Sequence, residues 1–193
     1  MNLKNQRRHQ PELVVYTGPM FGSKTTKMLT DLERASFQGR RVVAFKPKMD
    51  ERYSSGEIVT HAGLKFEAQN VQTGKEIFDM GQDYDVVGVD EAFMIEGSAD
   101  ALIKLYMMGK MITVSSIQLS ASGKVFEEVR DLLPWATKIE VCPAVCVKSG
   151  HDAFFTVRKD EGIASEIEVG GSETYEPRAW SCTPFARYTR GID

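Results

Sequence analysis

The sequence predicts an α/β protein. A mainly parallel sheet with flanking helices spans residues 12–142, and a small β-rich appendage follows over residues 143–193. Three observations predict it. Short apolar runs alternate with amphipathic stretches through the first part, the pattern of strands joined by crossover helices. A glycine-bearing loop separates the first apolar run from the first amphipathic stretch. Beyond residue 142 the pattern changes to short β-like pieces, a Gly170-Gly171 pair and scattered cysteines.

Residues 12–16 form a short apolar run with β-branched Val14 and Val15, a buried strand. Residues 25–38 read as a helix, because Met28, Leu32 and Ala35 share one face, and Gly39 supplies its stop. Residues 41–45 read as a second strand ended by Lys46-Pro47, and the polar stretch 49–63 as a loop. A short helix is expected over 73–80 and a strand over 84–89. Ser98 is the expected N-cap of a helix running to Met108, with Gly109 beyond it. Strands over 111–117 and 137–141 complete the sheet. In the appendage, 153–158 and 165–169 are β-like. Residues 1–11 carry Arg7-Arg8 with no apolar region behind them, and read as a disordered tail rather than a leader.

Composition narrows the function. The 193 residues include 24 Lys and Arg against 27 Asp and Glu, a net charge of −3. A dense basic face, the footprint of a nucleic-acid binder, is not expected, which speaks against an ATPase acting on a nucleic-acid strand. Three cysteines, Cys142, Cys146 and Cys182, are too few and odd in number for a disulfide framework. No apolar stretch reaches membrane-spanning length. A reducing, cytoplasmic setting is the expectation.

Two motifs carry chemistry. The segment Gly18-Pro19-Met20-Phe21-Gly22-Ser23-Lys24-Thr25 follows a strand and opens a helix. There, backbone N–H groups and the helix N-terminus can cradle phosphate oxygens. Lys24 would reach the outer phosphates and Thr25 would ligate Mg²⁺. The usual phosphate loop has glycine directly before the lysine; here Ser23 stands there and Gly22 one place earlier. The alternative is a glycine turn with a solvated lysine. The second motif is Asp90-Glu91, two carboxylates that end the buried strand expected over 84–89, where one acid can hold Mg²⁺ and the other serve as a base. Strand alternation would send the two side chains to different sides.

Beyond these motifs the chain resembles the thymidine kinases of the compact, zinc-bearing type. The resemblance rests on Gly18-Pro-Met-Phe with Lys24-Thr25, Phe45-Lys-Pro47, Asp50-Glu-Arg52-Tyr53-Ser-Ser, Thr60-His61, Val89-Asp-Glu-Ala92, Ala153-Phe-Phe-Thr156-Val-Arg158 and Val169-Gly-Gly-Ser-Glu-Thr-Tyr175-Glu-Pro-Arg178, in family order over residues 13–182. It implies a P-loop NTPase-like sheet with a zinc-ribbon-like lasso. It also implies transfer of the ATP γ-phosphoryl group to the 5′-hydroxyl of thymidine or a related deoxynucleoside. Glu91 would be the general base, and Lys24, Arg158 and Thr25 with Mg²⁺ would neutralise charge. Asp50 and Arg52 would arrange the phosphates and the 5′ end. Met20, Met94, Ala121, Thr156 and Tyr175 would line the nucleoside site. Backbone groups of Val169, Gly170, Gly171, Ser172 and Glu173 would read the base edge from a lid over 160–175. Met20 and Tyr175 are also residue types that fill cores, Arg158 could lie on a surface hairpin, and His61 reads as structural or surface. A homotetramer and feedback inhibition by the triphosphate end product are implied too.

Several positions depart from the family pattern. Phe93 replaces a glutamine, Gln118 an aspartate and Ala121 a phenylalanine, changes that touch base preference and leave a catalytically weakened nucleotide-binding homologue as the alternative. The family's two Cys-x-x-Cys pairs, a tetrahedral Zn²⁺ signature, read here Cys146-Val-Lys-Ser149 and Ala179-Trp-Ser-Cys182. Zinc at Cys146 and Cys182 is thus left in doubt. The options are a rearranged set of Cys142, Cys146, His151 and Cys182, or metal-free thiols with packing by Phe154, Phe155 and Trp180.

Overall fold

A computed structural model describes residues 10–48, 56–60, 63–159 and 173–186. Its centre is a six-stranded parallel sheet in the order β5-β2-β6-β7-β1-β8. The strands are β1 (Leu13–Thr17), β2 (Val42–Pro47), β5 (Gln69–Val71), β6 (Val86–Asp90), β7 (Met111–Ser116) and β8 (Lys138–Val141). Before β5 lies a small antiparallel pair, β3 (Glu57–Val59) with β4 (Lys65–Glu67).

Alternation within each strand builds two apolar layers. Val14 and Tyr16 of β1 face helix α1 (Lys24–Phe37) and its Met28, Leu29, Leu32 and Ala35. Leu13 and Val15 face the other way, into a larger layer with Ile77 of α2 (Gly74–Gly81), Leu102 and Leu105 of α3 (Ser98–Met107) and Leu132 of α4 (Glu127–Leu132). Gly88 leaves room for α1: a Cβ there would stand 2.6 Å from Leu32 Cδ1.

The sheet and its principal helices follow the sequence expectation, with local corrections. Lys46 and Pro47 lie inside β2, because both pair in register with β5. Part of the expected 49–63 loop is strand β3. Ser98 is the first residue of α3 and not its cap; Gly97 takes that place at φ 75°. The orphan N–H groups are satisfied instead by Glu128 of α4, which accepts from Gly97 N at 2.7 Å and Ala99 N at 2.8 Å. Helix α2 starts with a capping box in which Thr73 and Glu76 satisfy each other's backbone.

After β8 the chain forms a small unit from two antiparallel pairs, β9 (Ala144–Val145) with β10 (Asp152–Ala153), and β11 (Phe155–Arg158) with β12 (Tyr175–Arg178). Its buried layer is Ala144, Cys146, Ala153 and Ala179, joined by Phe21 and Cys182. The expected packing residues behave otherwise. Phe154 is 40% and Trp180 48% exposed, and Phe155 meets the Trp180 ring at 5.6 Å. The fold is thus a P-loop-like α/β sheet with a small C-terminal β-rich region. The predicted tail over 1–9 and the β-like piece at 165–169 lie outside the described residues. Among the described residues no helix is long and apolar enough to cross a membrane.

Candidate functional site

The carboxyl ends of β1, β6 and β7 share one edge of the sheet, where parallel α/β proteins bind ligands. The loop after β1 wraps around the backbone of Cys142, whose N–H donates to the Thr17 carbonyl at 2.7 Å. A Cβ at Gly18 would lie 2.3 Å, and one at Gly22 2.4 Å, from the Cys142 carbonyl oxygen. Gly18 also takes φ 134°. Position 22 therefore needs glycine for room. Ser23, where phosphate loops ordinarily place glycine, sits in the left-handed region at φ 58°, a strain of about 1 kcal/mol for an L-residue. Phe21 shares that conformation at φ 67°. The need for glycine at 22 thus comes from the Cys142 carbonyl, one residue past β8, a signal absent from the local sequence.

Lys24 and Thr25 open α1. Lys24 is only 6% exposed, and its Nζ donates to the Pro19 carbonyl at 2.6 Å. Burial pushes the ammonium down from its ordinary value, opposed by the nearby carboxylates of Glu91 and then Asp90. The lysine of the loop and the two acids at the end of β6, Asp90 within it and Glu91 just past it, therefore act on one another, Lys24 and Glu91 across 67 positions of sequence. Thr25 Oγ1 donates to Asp90 Oδ1 at 2.9 Å and lies 3.3 Å from the Ser115 hydroxyl. Ser115 was not singled out from the sequence. It stands on β7, between β1 and β6, paired with Asp90 in register.

The expectation that alternation separates Asp90 from Glu91 is corrected. Asp90 is the last residue of β6, and Glu91 leaves the strand at φ 51° and ψ 44°. A left-handed turn, not the pleat, aims Glu91, and both carboxylates stay within electrostatic reach of Lys24. Backbone strain in a non-glycine residue at such a position is a mark of functional sites.

The C-terminal unit closes on the same loop. Met20 N–H donates to Thr156 Oγ1 at 3.0 Å, and Thr156 is buried on β11. Arg158 ends β11 opposite Tyr175 of β12, and Tyr175 is buried. Met94 is half-buried in the turn after Glu91, as is Ala121 in the hairpin that follows β7. Phe93 packs on Phe126 at 4.5 Å between ring centroids. Gln118 accepts from the Thr17 hydroxyl at 2.9 Å, tying that hairpin to β1. Glu173 is exposed. Asp50, Arg52, His61, Val169, Gly170, Gly171 and Ser172 lie outside the described residues, as does nearly all of the lid segment.

A rearranged four-ligand set does not form. Cys142 belongs to the apolar layer under α1, whereas Cys146 belongs to the core of the C-terminal unit. His151 is exposed, and among the described residues no group of three or more His, Cys, Asp or Glu could hold a metal ion. Cys146 has other partners. Burial would raise its thiol, but hydrogen bonds outweigh that and bring it down to about 6. The donors are the Ala179 N–H, the Ser149 hydroxyl and the N–H groups of Lys148 and Ser149.

Comparison with known proteins places these features in one family. The family model described as "Thymidine kinase" matches residues 11–183. A protein of Pyrobaculum aerophilum named thymidine kinase is 37% identical over 176 residues, covering 86% of this chain and 95% of the relative. One of Thermococcus kodakarensis with the same name is 36% identical, over 86% of this chain and 90% of the relative. One of Coprothermobacter proteolyticus, likewise so named, is 34% identical, over 86% and 87%.

Proposed function

The chain belongs to the thymidine kinase family, and on that premise we propose that it transfers the γ-phosphoryl group of ATP to the 5′-hydroxyl of thymidine. The observation that carries the reading is the meeting of Lys24, Thr25, Asp90 and Glu91 at one edge of the sheet.

In this reading the loop from Gly18 to Thr25, with Pro19, Met20, Phe21, Gly22 and Ser23 between, presents N–H groups to the triphosphate. Lys24 gives up the Pro19 carbonyl and pairs with the outer phosphates. The buried Asp90 carboxylate beside the Thr25 hydroxyl is a hard, oxygen-only donor pair that fits Mg²⁺. When bound, that ion supplies neutralisation of charge on the transferring group. Glu91 takes the proton of the 5′-hydroxyl as the oxygen attacks phosphorus. The bond from the γ-phosphorus to the bridging oxygen breaks, and ADP leaves with that electron pair. Arg158 and Lys24 balance the charge that builds up. Catalysis here is mostly positioning and electrostatics, so Glu91 need not be a strong base.

The nucleoside would lie between Met20, Met94, Ala121, Thr156 and Tyr175, with the backbone of Val169 to Glu173 on the base edge and Asp50 and Arg52 at the 5′ end. A lid over the site excludes water and so suppresses ATP hydrolysis. The same reading divides the chain into a nucleotide-binding domain over 12–142 and a lasso over 143–193. It carries a cytoplasmic location, a homotetramer and feedback inhibition by the triphosphate end product. Light scattering of the purified protein tests the assembly.

The deciding assay offers purified protein ATP, Mg²⁺ and, in turn, each of the four deoxynucleosides of DNA and deoxyuridine. Thymidine monophosphate is the expected product. Nucleotide-dependent thermal stabilisation without product from thymidine, deoxyuridine or deoxycytidine would replace this reading with that of a binding protein.

A further inference from the structure

The hairpin after β7 stands where three parts of the molecule meet. It covers residues 118–126 and is closed by the Leu119–Val125 bridge. Ser120 N–H donates to the Lys124 carbonyl at 2.8 Å, and Gly123 N–H to the Ser120 carbonyl at 2.9 Å. Gln118 ties the hairpin to β1 through the Thr17 hydroxyl, and Phe126 ties it to Phe93, the neighbour of Met94. The third tie comes from the far end of the chain. The Phe185 ring lies over Gly123: a Cβ there would stand 3.0 Å from Phe185 Cε1 and 3.2 Å from its Cζ. Gly123 also takes φ 81°, so glycine suits the position by conformation as well as by room.

Local chemistry delivers that ring. A proline holds the residue before it extended, and Thr183, followed by Pro184, takes φ −90° and ψ 156°, which ends the turn Trp180–Cys182. Thr183 is buried, and its hydroxyl donates to the Trp180 carbonyl at 2.7 Å. Phe185 is half-buried and meets the Phe155 ring edge-on, 6.1 Å between centroids, within the range of attractive aromatic pairs. Thr156 follows Phe155 on β11 and takes the opposite face of the strand, where its hydroxyl oxygen accepts from Met20 N–H of the phosphate loop. One ring therefore spans from the back of β11 to the tip of the hairpin.

In the kinase reading, Ala121 of the hairpin and Thr156 of β11 are two walls of the nucleoside site. Position 121 carries alanine where the family has phenylalanine, so the hairpin wall lacks its ring. Phe185 lies beyond the family match, which ends at residue 183. Resting on that reading, we propose that Phe185 is a positioning residue for the nucleoside. Clasped between Phe155 and Gly123, it fixes the spacing of Ala121 and Thr156, and so makes up from outside the site for the ring that position 121 lacks. It touches no substrate, and its effect falls on nucleoside affinity rather than on the phosphoryl-transfer step.

The test compares the full-length parent with Phe185→Ala and Phe185→Tyr. The Ala variant should raise the KM and the calorimetric Kd for thymidine by about 3–10-fold, the worth of one aromatic pair. Its KM for ATP should stay at the parental value and its kcat within about twofold, and Phe185→Tyr should restore the thymidine values. Without any ligand, amide exchange over 119–125 should quicken about tenfold in the Ala variant while that of β6 and β7 stays unchanged. Parental thymidine KM and Kd in the Ala variant overturn the proposal. A rise shared equally by ATP also overturns it, since that marks a general loosening. Hairpin exchange at the parental rate overturns the clasp itself. A parent that binds thymidine without turnover would fail the kinase reading, and the Kd comparison would still decide the clasp. Should Phe185→Ala not fold, Phe185→Leu, which keeps apolar bulk without the ring, carries the same comparison.

Discussion

In the six-stranded sheet and its flanking helices, large side chains such as Leu32, Phe45 and Leu105 are wholly shielded, and each face of the sheet has its own apolar layer. Among the described residues of the C-terminal unit the buried cluster is three alanines and a cysteine, with Val157 and Tyr175 the larger buried apolar side chains beside it, while Phe154 and Trp180 turn toward solvent. Burying a leucine or phenylalanine side chain contributes about 1.5–3 kcal/mol, several times what an alanine methyl group does. The sheet therefore stands on its own packing, and the smaller unit depends on hydrogen bonds and on the ring of Phe21, lent by the phosphate loop. In the proposed reading Lys24, Thr25, Asp90 and Glu91 belong to the self-supporting part, whereas Thr156, Arg158 and Tyr175 belong to the dependent part. Regions with few buried apolar contacts are also the ones that open most readily, which suits a part that must admit and release substrate.

Variants can break or sharpen this contrast. The largest effect is expected at the sheet edge: Glu91→Gln should lower kcat by about 10²–10⁴-fold, the range of a lost general base, with ATP affinity kept. Steady-state kinetics and ATP titration check it, and parental turnover removes the base assignment. Next comes packing. Leu32→Ala, which opens a cavity between α1 and Gly88, should cost about 3 kcal/mol in urea unfolding. Ala153→Gly in the small unit should cost about 1 kcal/mol. Equal costs would end the distinction between the two regions. Within the phosphate loop, Gly22→Ala drives a methyl group against the Cys142 carbonyl and should cost about 1–3 kcal/mol together with weaker ATP binding. Ser23→Gly relieves the left-handed backbone and should gain up to about 1 kcal/mol. A stable Gly22→Ala protein would show that the Cys142 carbonyl does not crowd the loop. The smallest effect is Phe154→Ser, expected within about 0.5 kcal/mol by thermal melting; a larger loss would mean that the ring supports the unit after all.

Much of the sheet was readable because strands buried on both sides are continuous apolar runs, and α1 and α3 show their faces at spacings of three and four. The meeting of Lys24 with Asp90 and Glu91 could be anticipated because strand ends in a parallel sheet share one edge. Other features leave no periodic trace. Strands β3, β4 and β5 have three residues each and α4 has six, too short for a repeat to emerge. The aim of Glu91 was misjudged because alternation was carried one residue past the end of β6. Ser115 and the Cys142 carbonyl act through proximity between distant segments, and one of them is a backbone atom that no side-chain pattern encodes. The glycine at 22 is one place out of the usual pattern when the loop is read alone; with the Cys142 carbonyl in place it is the residue that fits there.

Because the aromatic ring at position 21 is rooted in the phosphate-binding turn and seated among Ala144, Cys146, Ala153 and Ala179, the two places share one free-energy account. A ligand that orders the turn must slow amide exchange around the buried alanines. Any lesion that loosens those alanines must weaken the ligand by an equal factor, since such coupling runs both ways. Hydrogen exchange measured with and without nucleotide would read that reciprocity directly.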